Sequence, residues 1–264
     1  MSFIQIILLG IIQGLTEFFP VSSSGHLVLF QNLFGIKEPQ IFVDVMLHVG
    51  TLISLFVYLR KEICELVDGL WLFLKKPKTY HADKRIKLLF ALAVASIPTM
   101  VIGYLFSDFF ESLFASLRTV GFALIVTGFY LFLTKFAKEK RRNFLSHPFI
   151  VGILQGAAIV PGFSRSGLTI GGAMFLGWKR EEAARFSFLL SIPAIFGAAL
   201  FQLGRIEAGS QPWPVIITGI VVSALFGYLA LTLLVSVINR GKFYVFSFYC
   251  FVAGITAIAY SFMI

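Results

Sequence analysis

The sequence predicts an all-α integral membrane protein with six transmembrane helices and two re-entrant pairs of broken helices. Three observations predict this fold class. Of the 264 residues, 58% are hydrophobic and 13% are charged, and the mean hydropathy of +0.90 lies outside the range of most water-soluble domains. Several apolar runs reach the length of roughly 20 residues that a helix needs to cross the bilayer core. Two further runs are interrupted by proline, serine and glycine.

The composition also excludes several other classes of protein. The apolar runs are too many and too scattered to form a cleaved signal peptide. Cys64 and Cys250 lack the spacing of a disulfide framework or a zinc site, and we expect both to be core residues. The formal net charge of +9 does not indicate nucleic-acid binding, because a nucleic-acid footprint needs basic residues on a water-exposed face.

The elements follow in order along the chain. Six apolar stretches are long enough to span the membrane, at residues 41–59, 88–107, 118–134, 186–204, 214–238 and 243–263. Two others are broken, 3–34 at residues 20–25 and 148–178 at residues 161–167. Proline, small hydroxyl residues and glycine stop helices, so each broken stretch is predicted to form a re-entrant pair. The charged segment 61–87 has apolar residues at helical spacing, which predicts a helix on the membrane surface.

The basic residues orient these elements. Of the 22 Lys and Arg residues, 18 fall on one side of the predicted topology and three on the other, and Arg165 lies within a break. An excess of basic residues marks the cytoplasmic side of a membrane protein. We therefore predict a multi-pass protein with a basic cytoplasmic face and with both termini outside.

The two broken segments form an internal repeat. In each, a Gln-Gly pair is followed by a proline, two serines and a glycine, and the last glycine lies twelve residues after the glutamine. Three spans follow each break, so the second unit must enter the membrane from the opposite side, which defines an inverted-topology repeat. We predict a single membrane domain over residues 1–264, with repeat 1 at about 1–136 and repeat 2 at about 147–264.

Two breaks that enter from opposite faces can meet near the midplane of the membrane. Irregular backbone is tolerated there only where it is buried in protein or lines a wet cavity. The serines of each break can cap the next helix and direct free backbone N–H groups into the cavity, and two converging helix N-termini suit a phosphate. The predicted substrate-binding residues are Gln13, Ser22, Ser24, Ser164 and Ser166.

Charged and imidazole side chains at the breaks indicate a catalytic site. Gln13 and Glu17 share one helix face, and an ionised Glu17 inside the membrane costs about 2.5–3.5 kcal/mol unless it is paired. Arg165 is either a fold-locking partner of Glu17 or a bidentate phosphate ligand. His26 follows the first break directly, and Ser23 lies within it. Together these groups are the parts of a phosphoryl-transfer site.

Other titratable residues are less informative. His48, His81 and His147 have no such polar neighbours in the sequence, and they are not predicted to belong to the site. Asp44, near the outer start of the first full span, either supports the site or is an exposed carboxylate at a helix end.

The motifs Gln13-Gly-Leu-Thr-Glu17-Phe-Phe-Pro-Val-Ser-Ser-Ser-Gly-His26 and Pro161-Gly-Phe-Ser-Arg165-Ser-Gly closely resemble those of the undecaprenyl-diphosphate phosphatase family, also called the bacitracin-resistance family. The resemblance covers essentially the whole chain. It implies a bacterial inner-membrane enzyme that dephosphorylates undecaprenyl diphosphate to the monophosphate, the carrier lipid of cell-wall synthesis, in a cavity open to the periplasm.

The resemblance also implies roles for individual residues. Glu17 and Gln13 would hold a divalent cation, Mg²⁺ or Ca²⁺, Arg165 would bind the diphosphate, and Ser23 or His26 would attack phosphorus. Many members of the family have a glutamate where this chain has Gln13. The chain therefore departs from a metal site made of two carboxylates, and Glu17 would bind the cation together with substrate oxygens and water. We favour His26 slightly over Ser23, because a neutral imidazole is nucleophilic near pH 7 without a separate base.

Two alternatives stay open at this point. Broken helices in an inverted repeat are also typical of a secondary transporter or a lipid flippase, although a transporter needs no nucleophile beside its anion site. Gly10 and Gly14 have a close-packing spacing, which fits either a homodimer or helix packing within one chain. The expected partners are a polyprenyl diphosphate and membrane lipids.

Overall fold

A computed structural model describes residues 1–36, 40–114, 116–140, 147–203 and 211–263. All regular secondary structure in these ranges is helical, in agreement with the predicted fold class. The α-helices are α1 (Phe3–Phe18), α2 (Ser23–Leu33), α3 (Ile41–Tyr58), α4 (Arg60–Lys75), α5 (Pro77–Tyr80), α6 (Lys84–Leu105), α7 (Ser107–Phe114), α8 (Leu117–Leu133), α9 (Pro148–Ala157), α10 (Arg165–Phe175), α11 (Arg180–Leu203), α12 (Trp213–Asn239) and α13 (Phe246–Tyr260). Two short 3-10 helices, Thr134–Phe136 and Phe243–Val245, follow α8 and precede α13.

Six segments of the described residues are long and apolar enough to cross a membrane, as predicted. They are Ile41–Tyr58, Lys84–Leu105, Leu117–Phe136, Arg180–Leu200, Trp213–Asn239 and Phe243–Tyr260. The largest differences from the predicted bounds are at the starts of α6 and α11, which extend by charged turns outside the apolar run. At α6 the helix starts early because Asp83 caps it by accepting a hydrogen bond from the Arg85 backbone N–H at 2.8 Å. The predicted end of the fourth span at Gly204 lies outside the described residues.

Both predicted breaks are present, and serine caps the helix after each. α1 ends at Phe18 and α2 begins at Ser23, while α9 ends at Ala157 and α10 begins at Arg165. Ser22 Oγ accepts from the Gly25 N–H at 3.3 Å, and Ser164 Oγ accepts from the Gly167 N–H at 3.1 Å. The second half-helix of each pair, α2 or α10, therefore has a capped N-terminus in the interior of the protein.

Close helix contacts hold each first half-helix in place. At Gly14 of α1, an added Cβ would lie 2.7 Å from the Ser223 carbonyl oxygen of α12, and at Gly10 it would lie 3.1 Å from the Gly219 carbonyl oxygen. In the second half, an added Cβ at Gly156 of α9 would lie 2.6 Å from Ile102 Cδ1 of α6. Gly10 and Gly14 therefore serve packing within the chain. Their spacing no longer supports a homodimer, which stays a prediction.

Corresponding helices of the two halves have similar packing partners. α1 packs on α12 and α9 packs on α6, so each first half-helix contacts a span of the other half. α3 packs against α11, and α8 packs against α13. This exchange of partners is compatible with an inverted repeat. The opposite orientation of the two halves and their bounds stay predictions.

The predicted surface helix is α4. Its outward residues Val67, Leu70, Trp71 and Leu74 are 43–65% exposed, which gives the helix an uncovered apolar stripe beside charged residues. The expectation that both cysteines are core residues is half right. Cys250 is buried, whereas Cys64 is exposed, because it lies on the outward side of α4 and not in a spanning helix.

Candidate active site

Glu17 is the centre of a buried polar cluster where the two breaks meet. It lies in the last turn of α1, and its side chain is 3% exposed. Glu17 Oε2 accepts hydrogen bonds from Gln13 Nε2 at 3.0 Å and from Ser23 Oγ at 2.5 Å. Glu17 Oε1 accepts from Arg165 Nη2 in an ion pair. Three of the predicted catalytic residues and one predicted substrate-binding residue therefore come together around one carboxylate.

The local sequence explains this arrangement. Gln13 and Glu17 are one helical turn apart, so both point to the same side of α1. The break at residues 19–22 reverses the chain and brings Ser23, the first residue of α2, against Glu17. Arg165 is the first residue of α10. Ser23 and Arg165 occupy equivalent positions in the two repeats, ten residues after Gln13 and Gln155.

Direct contacts join the two breaks. The Gly162 N–H donates to Ser22 Oγ at 3.1 Å, and Ser166 Oγ donates to the Phe19 carbonyl oxygen at 3.3 Å. Gly162 has φ +97, and an added Cβ there would collide with the Val120 carbonyl oxygen of α8. The crossing of the breaks therefore depends on a glycine backbone conformation and on a close approach to α8.

The remaining predicted substrate-binding serines lie at the two helix N-termini. Ser22 Oγ and Ser24 Oγ are 3.3 Å apart, and Ser164 Oγ and Ser166 Oγ are 3.2 Å apart. The repeat thus produces the same serine pair in both halves. Ser22 is the capping residue with φ 67, which is unusual for a residue with a side chain.

Both ring nitrogens of His26 have hydrogen-bond partners. Nδ1 lies 2.7 Å from the Ser22 carbonyl oxygen, and Nε2 lies 2.7 Å from Tyr249 Oη of α13. A carbonyl oxygen only accepts, so Nδ1 carries the proton and the Nε2 lone pair accepts from the Tyr249 hydroxyl. His26 is also buried. The nitrogen that would attack phosphorus is therefore already engaged in this structure.

Arg165 retains binding capacity beyond its ion pair. Nη2 donates to Glu17, whereas the buried Nη1 has no hydrogen-bond partner within the part of the chain that the structure describes. Both interpretations of Arg165 from the sequence are therefore compatible. It pairs with Glu17 across the breaks, and it also presents a donor suited to a phosphate oxygen.

The chain matches the family model described as "Bacitracin resistance protein BacA" over residues 6–256. The match includes both breaks and the whole of the polar cluster. The chain belongs to the BacA family.

Relatives of full length support the same assignment. The chain is 45% identical to the "Undecaprenyl-diphosphatase" of Halothermothrix orenii, over 98% of both chains. It is 42% identical to the protein of the same name from Carboxydothermus hydrogenoformans, over 97% of this chain and 96% of the relative. It is 40% identical to the Desulforapulum autotrophicum protein of that name, over 100% of both. The family resemblance seen in the motifs is confirmed.

Two residues of this BacA-family site were missed from the sequence. The expectation that His48 lies outside the site is wrong, because α3 packs against α1 and places His48 Nε2 3.5 Å from Glu17 Oε2. Tyr249 reaches His26 from α13, 223 residues away in sequence. For His48 the available signal was its spacing of four from Asp44, which places both on one helix face. For Tyr249 the sequence holds no local signal.

Asp44 is not an exposed carboxylate at a helix end, because its side chain is partly buried and hydrogen-bonded to α2. Its Oδ1 accepts from Gln31 Nε2 at 2.7 Å, and its carbonyl oxygen lies 2.7 Å from His48 Nδ1. Asp44 therefore orients His48 through the backbone of α3, while Gln31 ties the start of α3 to α2.

The donor set of this BacA-family site fits a hard divalent cation. In the described residues no three His, Cys, Asp or Glu side chains converge on one point. Gln13 Oε1 is buried and has no hydrogen-bond partner there, and it belongs to the amide that contacts Glu17. One carboxylate and an amide oxygen, completed by phosphate oxygens and water, form a ligand set that Mg²⁺ or Ca²⁺ accepts.

Proposed function

We propose that this chain hydrolyses undecaprenyl diphosphate to undecaprenyl phosphate and inorganic phosphate in a cell membrane. The full-length relatives are named for this activity. The single observation that carries the assignment to a site is the 2.5 Å hydrogen bond from Ser23 Oγ to Glu17 Oε2, beside the paired guanidinium of Arg165. The cluster thus combines a hydroxyl nucleophile, Ser23, with a base, Glu17, and a guanidinium that can bind phosphate, that of Arg165. The product is the carrier lipid used in cell-wall synthesis.

The substrate's diphosphate would lie where the N-termini of α2 and α10 converge. Arg165 Nη1 has a free donor, and the first backbone N–H groups of both helices add partial positive charge. The oxygens of Ser24 and Ser166 flank the same region through their contacts with Ser22 and Ser164. The lipid tail would extend between helices into the bilayer, where an apolar chain is soluble.

Ser23 is the nucleophile in this proposal, which reverses the slight preference for His26 from the sequence. Ser23 Oγ already donates its proton toward Glu17, whereas the lone pair of His26 Nε2 accepts from Tyr249. The contact of His26 Nδ1 with the Ser22 carbonyl oxygen supports a positioning role instead. His26 would hold the strained turn from which Ser23 projects.

The proposed hydrolysis has two steps, the formation of a phosphoserine and its hydrolysis. Ser23 Oγ attacks the terminal phosphorus, its proton passes to Glu17, and the bond from phosphorus to the bridging oxygen breaks with its electron pair leaving on undecaprenyl phosphate. Water then attacks the phosphoserine phosphorus. The bond to Ser23 Oγ breaks, Glu17 returns the proton to Ser23, and dihydrogen phosphate leaves.

The proposal includes a divalent cation, Mg²⁺ or Ca²⁺, held by Glu17 and by Gln13 Oε1. When bound, it would neutralise charge that develops on the phosphate oxygens. Arg165 contributes charge of the same sign from the opposite break and orients the terminal phosphate.

The transporter alternative is not favoured, because the relatives are named for a diphosphatase. A transporter also needs no nucleophile, whereas Ser23 Oγ is hydrogen-bonded to Glu17. The positions of the basic residues support an orientation with both termini outside, and the family resemblance supports a location in a bacterial inner membrane. The resemblance supports a cavity that opens to the periplasm. The proposal also includes a homodimer, and the test of it is the molecular mass of the protein in detergent solution.

The deciding experiment is release of phosphate from undecaprenyl diphosphate by purified protein in detergent, where no gradient exists. Wild type and Ser96→Ala should release phosphate, because Ser96 Oγ donates to the Leu92 carbonyl oxygen one turn earlier in its own helix. Ser23→Ala should release none above background, and trapped wild-type enzyme should contain phosphoserine at Ser23. An inactive wild type would overturn the proposed function, and full activity of Ser23→Ala would redirect the nucleophile to His26.

A further inference from the structure

His48 faces the carboxylate of Glu17 through its Nε2 atom. Its Nδ1 lies 2.7 Å from the Asp44 carbonyl oxygen. Because a carbonyl oxygen only accepts, the neutral ring carries its proton on Nδ1 and its lone pair on Nε2. That lone pair faces Glu17 Oε2 at 3.5 Å. Two acceptors therefore face each other, one on a buried carboxylate and the other on an imidazole whose side chain is 29% exposed.

Gln13 adds a third acceptor without a partner. Its side chain is fully buried, and Oε1 has no hydrogen-bond partner among the described residues. A half turn of the amide exchanges Oε1 with Nε2, which lies 3.0 Å from Glu17 Oε2. The amide oxygen would then lie beside the same carboxylate oxygen that His48 faces. Such a set of acceptors is satisfied by a positive ion and not by a further acceptor.

The separation between His48 and Glu17 is consistent with an ion between them. A direct N–H···O hydrogen bond is about 2.9–3.0 Å long, shorter than the observed 3.5 Å. Two ligand atoms that each lie about 2.1 Å from one cation are about 3.0–3.5 Å apart at ligand angles of about 90–110°. Histidines that bind metal also commonly donate their other ring N–H to a carbonyl oxygen, as His48 does.

We propose that His48 Nε2 is a ligand of the active-site cation, together with Glu17 Oε2 and Gln13 Oε1. An imidazole nitrogen then replaces the second carboxylate of a two-carboxylate site, and Asp44 fixes its orientation through the backbone. The inference rests on the proposed function, because it concerns the cation of that site. An imidazole nitrogen is a softer ligand than a carboxylate oxygen, so this site should bind Mn²⁺ more tightly, relative to Ca²⁺, than a site made only of oxygen ligands would.

A competing explanation is a protonated His48 that pairs directly with Glu17. The two differ in one observable property. A bound imidazole nitrogen couples magnetically to Mn²⁺, whereas a protonated imidazole forms no bond to the metal. Electron spin-echo spectroscopy of Mn²⁺ bound to the full-length protein in detergent detects this ¹⁴N coupling without any turnover.

The test compares wild type, His48→Gln and a matched control, His81→Gln. His81 is exposed at the end of α5, far in sequence from the site residues. We expect ¹⁴N coupling in wild type and in His81→Gln, loss of the coupling in His48→Gln, and a fall in Mn²⁺ affinity of that variant by about tenfold or more. Absence of coupling in wild type, or coupling that persists in His48→Gln, would overturn the proposal.

Two further measurements keep the result interpretable. Thermal unfolding confirms that His48→Gln is folded, and if it is not, ¹⁵N-histidine labelling of wild type decides whether any imidazole binds the ion. Phosphate release is measured on the same preparations. Active wild type without histidine coupling rejects His48 as a ligand and leaves the proposed function intact. Coupling through His48 in a protein that releases no phosphate rejects the proposed function and leaves the cation site intact.

Discussion

Arg165 Nη2 donates to Glu17 Oε1, and this ion pair joins the last turn of α1 to the first residue of α10. Both side chains are largely buried, with 17% exposure for Arg165 and 3% for Glu17. A buried charge that loses its partner is costly. The pair therefore joins the two breaks and at the same time places the proposed base beside the proposed phosphate ligand.

The first prediction separates these two roles of Glu17. Glu17→Gln keeps an acceptor for Arg165 but removes both the base and the negative charge, so phosphate release should fall about 100-fold or more, and thermal stability should fall less than in Glu17→Ala. Glu17→Ala leaves Arg165 unpaired and should also destabilise the fold by about 3–5 kcal/mol. Glu65→Gln on the exposed side of α4 is the control for both assays. Near-normal release by Glu17→Gln would rule out Glu17 as the base.

The second prediction concerns the contact between His26 and Tyr249. Tyr249→Phe removes the hydroxyl that occupies His26 Nε2. Because one hydrogen bond contributes about 0.5–1.5 kcal/mol, phosphate release should change by no more than about tenfold. Trapped enzyme should still contain phosphoserine, and Tyr260→Phe near the end of α13 serves as control. Phosphohistidine at position 26 in the trapped variant would contradict the assignment of Ser23.

The third prediction is the dependence on a divalent cation. A chelator should lower the rate of phosphate release about 100-fold or more, the equivalent of several kcal/mol of charge stabilisation. Added Mg²⁺, Ca²⁺ or Mn²⁺ should restore it, and a chelator preloaded with Mg²⁺ is the control. His48→Glu should shift the preference from Mn²⁺ toward Ca²⁺, because a carboxylate is a harder ligand than imidazole. Undiminished release in excess chelator would exclude a cation from the reaction.

The fourth prediction tests helix packing in the absence of any substrate. Gly14→Ala places a Cβ 2.7 Å from the Ser223 carbonyl oxygen and from Phe226 Cβ. Such overpacking should cost about 1–3 kcal/mol, measured as a lower midpoint of thermal unfolding in detergent. Gly197→Ala is the matched control, since an added Cβ there has no atom within 4 Å among the described residues. Equal midpoints for the two variants would show that α1 does not pack this closely on α12.

Much of the site follows from local sequence. Gln13 and Glu17 share a helix face because of the helical repeat, and the serines cap α2 and α10 because the breaks leave free backbone N–H groups. The meeting of the two breaks depended on the internal repeat, which is also a property of the sequence. The position of His48 could not be read in this way, because it depends on the rotation of α3 about its axis when α3 packs against α1.

The sequence by itself determined a membrane protein with six spans, two breaks and the residue types of a phosphatase site, since hydropathy, helix stops and motifs are local properties. Only the tertiary structure decided how those residues are paired. It placed Ser23 rather than His26 on Glu17, engaged His26 with Tyr249, and brought His48 to the same carboxylate. These contacts join α1 to α2 across a break and to α3, and α2 to α13, so they depend on how helices pack and not on the order of residues within any one of them.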